Sequence, residues 1–388
     1  MNNKNVIIVG AGRLGKGFLG ETFYNANWNI SFLDKDPRVI SELKKTGSYD
    51  VSVHTTDSVF TNTISGYKAF LADSNYSIAD SFLNSNLIML PLYPADFKEA
   101  AEYLGHCFDL QYEKDKNNKK TLICLTNKNH IINEITEYFR NSLKNDSVRE
   151  WFDKNVVVRD SIVRRSTDAA TNYSTKLVTT AVASLLIQGP VNCDFSDVKW
   201  LDVRENVEML KDIKVFLING PHATTAYAGY LKGYDDIAKA EQDPDVQKLI
   251  QSVHDSAVQA VLYEYPVTRN EIRELEYLPA AKDEMSDSIF RVGFDPIRKL
   301  GKNDRLLGVV KLCQKYNIKY DGLIKAAACG FAYTEPKDKN AMIIQNEIKN
   351  RGITATVAKY IDRKDNDDVV KQISQEYNKI QAGKFFNE

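Results

Sequence analysis

The 388-residue sequence lacks the features that mark several large classes of protein. Its five cysteines are scattered, odd in number and without a Cys-x-x-Cys pair, which argues against a disulfide framework or a zinc site and fits a reducing compartment. Its five histidines never recur at i,i+4 spacing, so we expect no metal. No apolar run approaches the ~20 residues of a membrane span, and residues 1–10 lead into a strand pattern without an apolar signal core. These absences predict a cytoplasmic protein.

Net charge is also nearly absent, at −1. This balance gives no reason to expect nucleic acid or an anionic membrane as a partner, although a local basic pocket for a small anion stays open. Apolar residues make up 43% of the chain and charged residues 27%, as in ordinary globular proteins. We therefore expect a small-molecule partner.

The order of the predicted elements indicates an α/β fold in two domains. Short apolar runs alternate with helical patterns in the first half, which predicts a parallel, doubly wound sheet of the Rossmann type. The predicted strands are 6–10, 30–34, 87–92, 121–126 and 156–163, with a polar hairpin at 51–70. From about residue 203 the apolar residues recur at helical spacing, which predicts helices at 203–218, 244–263, 306–316 and 367–382. We therefore predict a nucleotide-binding domain over 1–194 and a mostly α-helical substrate domain over 195–388.

A glycine-rich turn follows the first predicted strand. GAGRLG supplies Gly10 for a tight turn, Gly12 for close approach to a pyrophosphate and Gly15 for helix packing, with Arg13 and Leu14 between them. At the end of the next strand, Asp34 is placed to accept hydrogen bonds from the ribose hydroxyls and to repel a 2′-phosphate. This pattern predicts NAD rather than NADP, and all six residues are candidate cofactor-binding residues. A Rossmann-like turn that has lost its ligand is the structural alternative.

The stretch KVFLINGPH in the second half carries candidate catalytic groups. Lys214 lies on the apolar stripe of a predicted helix, where loss of water favours the neutral amine that can remove an alcohol proton. Pro221 predicts that this helix stops near Asn219 and that a second one begins, with free N–H groups close to Asn219 and His222. Those groups suit an alcohol oxygen that gains negative charge. A surface lysine, an asparagine cap and a first-turn histidine are the structural alternative.

Several blocks of the sequence resemble the polyol-specific long-chain dehydrogenases. Lys214, Asn219 and His222 reproduce the Lys-x4-Asn-x2-His pattern of that family. The blocks VGAGRLGKGFLGE, RDSIVRR, FLINGPHATTAYAGYLKGY and RVGFDPIRKLGKNDRL follow in the family's order. The resemblance covers nearly the whole chain, and its compact length is similar to the sugar-phosphate branch.

The resemblance implies a metal-independent, monomeric dehydrogenase with a Rossmann domain, a helical domain and the active site in the cleft between them. It implies that Lys214 is the general acid/base, that Asn219 and His222 bind the reacting oxygen, and that Asn127 completes the oxyanion site. Asn127 also follows a predicted parallel strand, at the edge where such folds bind ligands.

Two departures from the family pattern touch the substrate pocket. Thr126 replaces an acidic residue, and Arg164 and Arg165 stand where the family commonly has Asp-Arg. The added positive charge suits a phosphate or carboxylate on the substrate. Arg298 and Lys299, inside another family-like block, are further candidate anion ligands. Each of these cations is alternatively a surface or ion-paired residue.

Together these features predict an NAD-dependent dehydrogenase that interconverts a sugar-alcohol phosphate and a ketose phosphate, with mannitol 1-phosphate and fructose 6-phosphate as the leading pair. Two alternatives stay open. One is reduction of an unphosphorylated ketose or a hexuronate by the same lysine. The other is a nucleotide-sensing regulator that has lost catalysis.

Overall fold

Continuous apolar strands build the main sheet of the computed structural model, which describes residues 4–283 and 287–386. The strands of these residues are β1 (Asn5–Val9), β2 (Asn29–Asp34), β3 (Ser48–His54), β4 (Val59–Ser65), β5 (Lys68–Leu71), β6 (Leu87–Leu90), β7 (Lys120–Cys124), β8 (Val156–Ile162), β9 (Thr167–Asp168), β10 (Lys176–Thr180), β11 (Leu185–Gln188) and β12 (Leu201–Arg204).

The main sheet has eight strands in the order β12-β11-β8-β7-β6-β1-β2-β5. Six of them, from β8 to β5, are parallel neighbours in the doubly wound 3-2-1-4-5-6 order, whereas β11 runs antiparallel to β8. Alternate residues of β1 enter two different cores, Val6 and Ile8 on one face and Ile7 and Val9 on the other. Burial on both faces explains why these strands are apolar without interruption. The predicted Rossmann-like sheet is confirmed.

A second, four-stranded sheet has the order β4-β3-β10-β9. The antiparallel β3–β4 pair confirms the predicted hairpin, although β5 leaves it and joins the main sheet beside β2. The strand β10 pairs with β3 and with β9. This small sheet packs near the first helical segment, since a Cβ on Gly17 would lie 2.4 Å from Thr167 of β9.

Helices make up most of the remaining chain. The α-helices of the described residues are α1 (Glu21–Asn25), α2 (Pro37–Thr46), α3 (Ala79–Leu83), α4 (Phe97–Lys114), α5 (Ile132–Asn141), α6 (Asp146–Asn155), α7 (Val207–Lys214), α8 (Gly220–Leu231), α9 (Ile237–Ala240), α10 (Pro244–Glu264), α11 (Arg269–Glu276), α12 (Ile289–Gly293), α13 (Pro296–Lys299), α14 (Leu307–Tyr316), α15 (Asp321–Phe331), α16 (Lys339–Ile361) and α17 (Asp368–Gln381). Two segments are π-helical, Gly15–Gly20 and Val215–Asn219, and Pro94–Asp96 is a 3₁₀ turn. No helix of the described residues is long and apolar enough to cross a bilayer.

The chain divides into two compact units. The first runs to Lys211 and includes a short segment from Leu278; the second takes Asp212–Tyr277 and the later helices. The sequence predicted the boundary after residue 194. The structural division comes later because β12 extends the main sheet beside β11, so residues expected to open a helix at 203 belong to a strand.

A buried ion pair fixes the first helical segment of the N-terminal unit. The Arg165 guanidinium donates to Glu21 Oε2 at 2.8 Å, to the Thr179 hydroxyl at 2.9 Å and to the Thr22 hydroxyl at 3.2 Å. The Arg165 side chain is fully buried and Glu21 almost so. Thr179 belongs to β10, so these bonds connect the small sheet to helix α1.

We expect Arg165→Met to destabilise the N-terminal unit by about 3 kcal/mol or more, because it leaves the Glu21 carboxylate buried without a cation, with only neutral amide donors such as that of Asn25. Urea unfolding followed by tryptophan fluorescence measures this, since Trp28, Trp151 and Trp200 all lie in that unit. The matched control is Arg204→Met, which breaks an exposed pair with Asp202 and should cost less than about 1 kcal/mol. Equal effects of the two changes would contradict the role of the buried pair.

Candidate functional site

The glycine-rich turn lies between β1 and the first π-helical segment. Gly10 has φ +106°, and its N–H donates to the Leu33 carbonyl of β2 at 2.7 Å. A Cβ on Gly15 would lie 2.0 Å from the Gly10 carbonyl oxygen, so only glycine allows the helix to start this close to the strand. At Gly12 the nearest atom to a Cβ would be Asn172 Oδ1 at 3.9 Å. The backbone at Gly12 is therefore open to a pyrophosphate.

Asp34 ends β2 beside this turn. Its carboxylate accepts the Ala11 N–H at 2.7 Å and the Asp36 N–H at 2.9 Å. Burial raises the pKa of the Asp34 carboxyl, and the two backbone hydrogen bonds act in the opposite direction. Carboxylate oxygens can accept further hydrogen bonds, so the group is still able to bind ribose hydroxyls.

The other residues of the turn have different surroundings. Arg13 is exposed and pairs with Asp168 at 3.2 Å, whereas Leu14 packs against the core beneath the turn. Lys35, next to Asp34, donates to Asp96 at 2.9 Å and to Glu99 at 2.6 Å. Its charge is thus engaged by two carboxylates.

The candidate catalytic residues lie on one helical stretch of the second unit. Lys214 ends α7, the π-helical segment Val215–Asn219 follows, and α8 begins at Gly220. The Gly220 N–H donates to the Val215 carbonyl, five residues back. Residues five apart lie one above the other in a π turn, so Lys214 and Asn219 share a face that an α-helix would not give them. Asn219 and His222, three apart, share the next turn.

The predicted break between two helices needs a correction. Pro221 lies in the first turn of α8, as predicted, but Asn219 and Gly220 both have right-handed helical dihedrals and the chain continues without a gap. The Gly220 N–H is already bonded, so it is not a free donor. The extra residue of the π turn accommodates the proline where a break was expected.

His222 is half-buried among charged groups of its own unit. Burial lowers the pKa of its imidazole; Asp287 opposes this, whereas Arg291, Lys299 and Arg305 add to it. A neutral imidazole at neutral pH can donate or accept one hydrogen bond to a substrate oxygen.

Two of these cations are buried. Lys299 is 5% exposed, and its Nζ donates to the Val292 carbonyl. Burial, with Arg305 and Arg298 nearby, lowers the pKa of Lys299 to about 7. Arg305 is 9% exposed; its Nε donates to Asp304 at 2.7 Å, and its carbonyl oxygen lies 3.0 Å from where a Cβ on Gly220 would be. Arg305 is therefore adjacent to the helix junction.

Arg298 is half-exposed and paired. Its Nε donates to Asp295 Oδ2 at 3.2 Å, and its Nη1 lies 3.8 Å from Asp304 Oδ2. Of the four predicted anion ligands, Lys299 is thus near His222, and Arg298 is near Lys299.

The remaining candidates lie in the first unit. Asn127 is exposed, three residues after the end of β7, and Thr126 beside it is buried. Arg164 is half-buried, and burial lowers the pKa of its guanidinium. Arg165 needs a correction as a substrate ligand, because the interior pair with Glu21 engages its guanidinium.

Arg305 was not singled out from the sequence. The available signal was its place in the family-like block RVGFDPIRKLGKNDRL, but nothing in that block distinguishes a buried arginine from a solvated one. Among the described residues, no group of three or more His, Cys, Asp or Glu side chains comes together as in a metal site.

Comparison with known proteins identifies the class. The mannitol dehydrogenase Rossmann domain model matches residues 4–184, and the mannitol dehydrogenase C-terminal domain model matches residues 206–381. These two matches define the protein as an oxidoreductase that uses a nicotinamide cofactor. The chain belongs to the mannitol dehydrogenase family.

Relatives and a solved structure agree with this. Two proteins named mannitol-1-phosphate 5-dehydrogenase are similar: that of Thermoanaerobacter pseudethanolicus is 25% identical over 380 residues, covering 96% of both chains, and that of Clostridium acetobutylicum is 26% identical over 378 residues, covering 96% and 97%. The ternary complex of Pseudomonas fluorescens mannitol 2-dehydrogenase with NAD and D-mannitol has a TM-score of 0.77 at 13% identity, covering 99% of this chain and 93% of that one. At that identity the likeness shows the shared fold.

We expect Asp34→Ser to weaken NADH binding more than NADPH binding, because the carboxylate favours ribose hydroxyls and repels a 2′-phosphate. The measurement is the ratio of the two dissociation constants by fluorescence titration. The change also removes the hydrogen bonds from the Ala11 and Asp36 N–H groups and so loosens the turn. This loosening weakens the binding of both cofactors alike and therefore cancels in the ratio of their dissociation constants. Lys35→Met is the neighbouring control and should leave the ratio unchanged. An unchanged ratio for Asp34→Ser would show that the carboxylate does not contact the ribose.

Proposed function

We propose that the protein is an NAD-dependent dehydrogenase that interconverts a sugar-alcohol phosphate and a ketose phosphate, with mannitol 1-phosphate and fructose 6-phosphate as the leading pair. The observation that carries the proposal is the π turn between Lys214 and Gly220, whose hydrogen-bond register supports a position for Lys214 on the same side of the helix as Asn219, with His222 one turn after Asn219. The relatives named mannitol-1-phosphate 5-dehydrogenase, similar over nearly their whole length, support the same substrate pair.

In the oxidation direction, the neutral Lys214 amine removes the proton from the hydroxyl of the reacting carbon. Asn219 and His222 donate hydrogen bonds to the oxygen as it gains negative charge. The C–H bond of that carbon breaks with both electrons, and NAD supplies the hydride acceptor when bound. Reduction of the ketose reverses each step, and protonated Lys214 returns the proton.

The phosphate assignment is supported by the cations near His222. Lys299 and Arg305 are both buried, and Lys299 has one protein acceptor among the described residues. A buried cation with few partners gains most from a phosphate that supplies charge and oxygen acceptors together.

An unphosphorylated polyol or a hexuronate is the second candidate. The neutral polyol is favoured by the acidic residues among these cations, because Asp295 and Asp304 neutralise Arg298, and Asp304 also binds Arg305, whereas the hexuronate carboxylate would need a cation as the phosphate does. A less positive pocket suits a neutral sugar. A nucleotide-sensing regulator without catalysis is the third, and it would bind NADH without turning over any polyol or ketose.

We expect NADH oxidation with fructose 6-phosphate and much less with fructose or tagaturonate, measured side by side. Lys299→Met should raise the KM for fructose 6-phosphate by about 10-fold or more, because a charged hydrogen bond contributes ~1.5–3 kcal/mol. The matched control is Lys302→Met, which removes an exposed lysine paired with Asp362. Turnover of only the unphosphorylated sugars would reject the phosphate assignment.

We expect Lys214→Ala to lower turnover by at least about 100-fold while NADH binding survives, because the lysine acts on the alcohol proton. Steady-state kinetics and NADH titration measure the two effects separately. Lys239→Ala, at an exposed lysine of the same unit, is the control. Wild-type turnover in Lys214→Ala would defeat the assignment, and NADH binding without turnover in the unmodified protein would favour the regulator.

A further inference from the structure

A short loop of the small sheet lies against the glycine-rich turn. It joins β9 to β10 and comprises residues 169–175, here called the 169–175 loop. Lys16, which is 1% exposed, donates from Nζ to the carbonyl oxygens of Asn172 and Ser174, both at 2.8 Å. Arg13 pairs with Asp168 just before the loop at 3.2 Å. Two cations of the turn region therefore hold the loop at both ends.

The middle of the loop reaches the point where a pyrophosphate would approach. Asn172 is exposed, and its Oδ1 lies 3.9 Å from the position a Cβ would take on Gly12. Gly12 is the residue whose missing side chain admits the pyrophosphate to the backbone. The Asn172 side-chain amide is thus close to that path.

The next residue extends the loop towards the adenosine end. The Tyr173 ring is 42% exposed and lies 5.4 Å from the Arg38 guanidinium. The Arg38 guanidinium donates to the Asp36 carboxylate at 2.8 Å. Both residues lie at the start of α2, just after Asp34, the candidate ribose ligand. An exposed aromatic ring beside this segment offers an apolar face to an adenosine.

We propose that the 169–175 loop is a second wall of the dinucleotide site, in which the Asn172 amide turns about its Cβ–Cγ bond so that Nδ2 replaces Oδ1 beside Gly12 and donates to the pyrophosphate, and Tyr173 packs against the adenosine. This rests on the proposed function, since it assumes that the turn binds the dinucleotide. The contribution of Lys16 is indirect, through the loop carbonyls. Burial lowers the pKa of Lys16 to about 8, and a neutral amine still has two N–H groups for the two carbonyls.

The test uses the full-length protein and three probes: NADH, ADP-ribose and adenosine. Asn172→Ala should weaken NADH and ADP-ribose about 10-fold or more, because a hydrogen bond to a charged group is lost, and should leave adenosine within about 2-fold. Tyr173→Ala should weaken all three. The matched controls are Asn366→Ala and Tyr263→Ala, two exposed positions of the other unit, which should bind all three probes as the unmodified protein does.

The outcomes separate this inference from the proposed function. If the unmodified protein binds NADH and both loop variants bind it equally well, the loop is only a connection between strands and the inference is wrong. If Asn172→Ala weakens adenosine as strongly as NADH, the amide does not act on the pyrophosphate and its assignment is overturned. Failure of the unmodified protein to bind NADH would reject the dinucleotide site itself, and the inference with it.

Discussion

The hydrogen bond from the Glu21 N–H to the Lys16 carbonyl spans five residues instead of the four of an α-helix. This π register aligns Lys16 and Glu21 on the side that faces the small sheet, where one reaches the loop carbonyls and the other meets Arg165. The helix can start there only because Gly15 tolerates contact with Gly10. The second unit uses the same register at the junction of α7 and α8. In both units an added residue per turn changes which side chains share a face.

The buried cations of the two units are held in different ways. Arg165 has an anionic partner and hydroxyl acceptors, so its charge is satisfied inside the protein. Lys299 has a backbone carbonyl, and its pKa near 7 means that charge and neutrality are nearly balanced at neutral pH. An anion bound beside Lys299 would favour the charged amine and draw in a proton. Binding at this position is therefore coupled to pH, whereas the Arg165 pair is a fixed part of the fold.

Much of the N-terminal fold followed from local pattern. The central strands were recognised because both of their faces are buried, which leaves an uninterrupted apolar run. The position of Asp34 at the end of β2 was predicted correctly, because its spacing from Gly15 is set by one helix and one strand. The strand β12 was missed, since its four residues on the edge of the sheet include two charged ones, Asp202 and Arg204, and so short a stretch is equally compatible with the start of a helix. The π turns were missed because a change of hydrogen-bond register leaves no signature in apolar periodicity. Arg165 and Arg305 illustrate another limit, because the sequence shows a charge but not its burial or its partner.

The burial of the cysteines predicts which thiol a chemical label reaches first. Cys107, Cys124, Cys313 and Cys329 are buried, whereas Cys193 is half-buried; burial raises the pKa of all five thiols, so access distinguishes Cys193 from the others. A maleimide reacts with a thiolate that it can reach. A maleimide dye added to the folded chain should therefore label Cys193 well before the buried cysteines. A single fluorophore on Cys193 could then report on the N-terminal unit without any engineered residue.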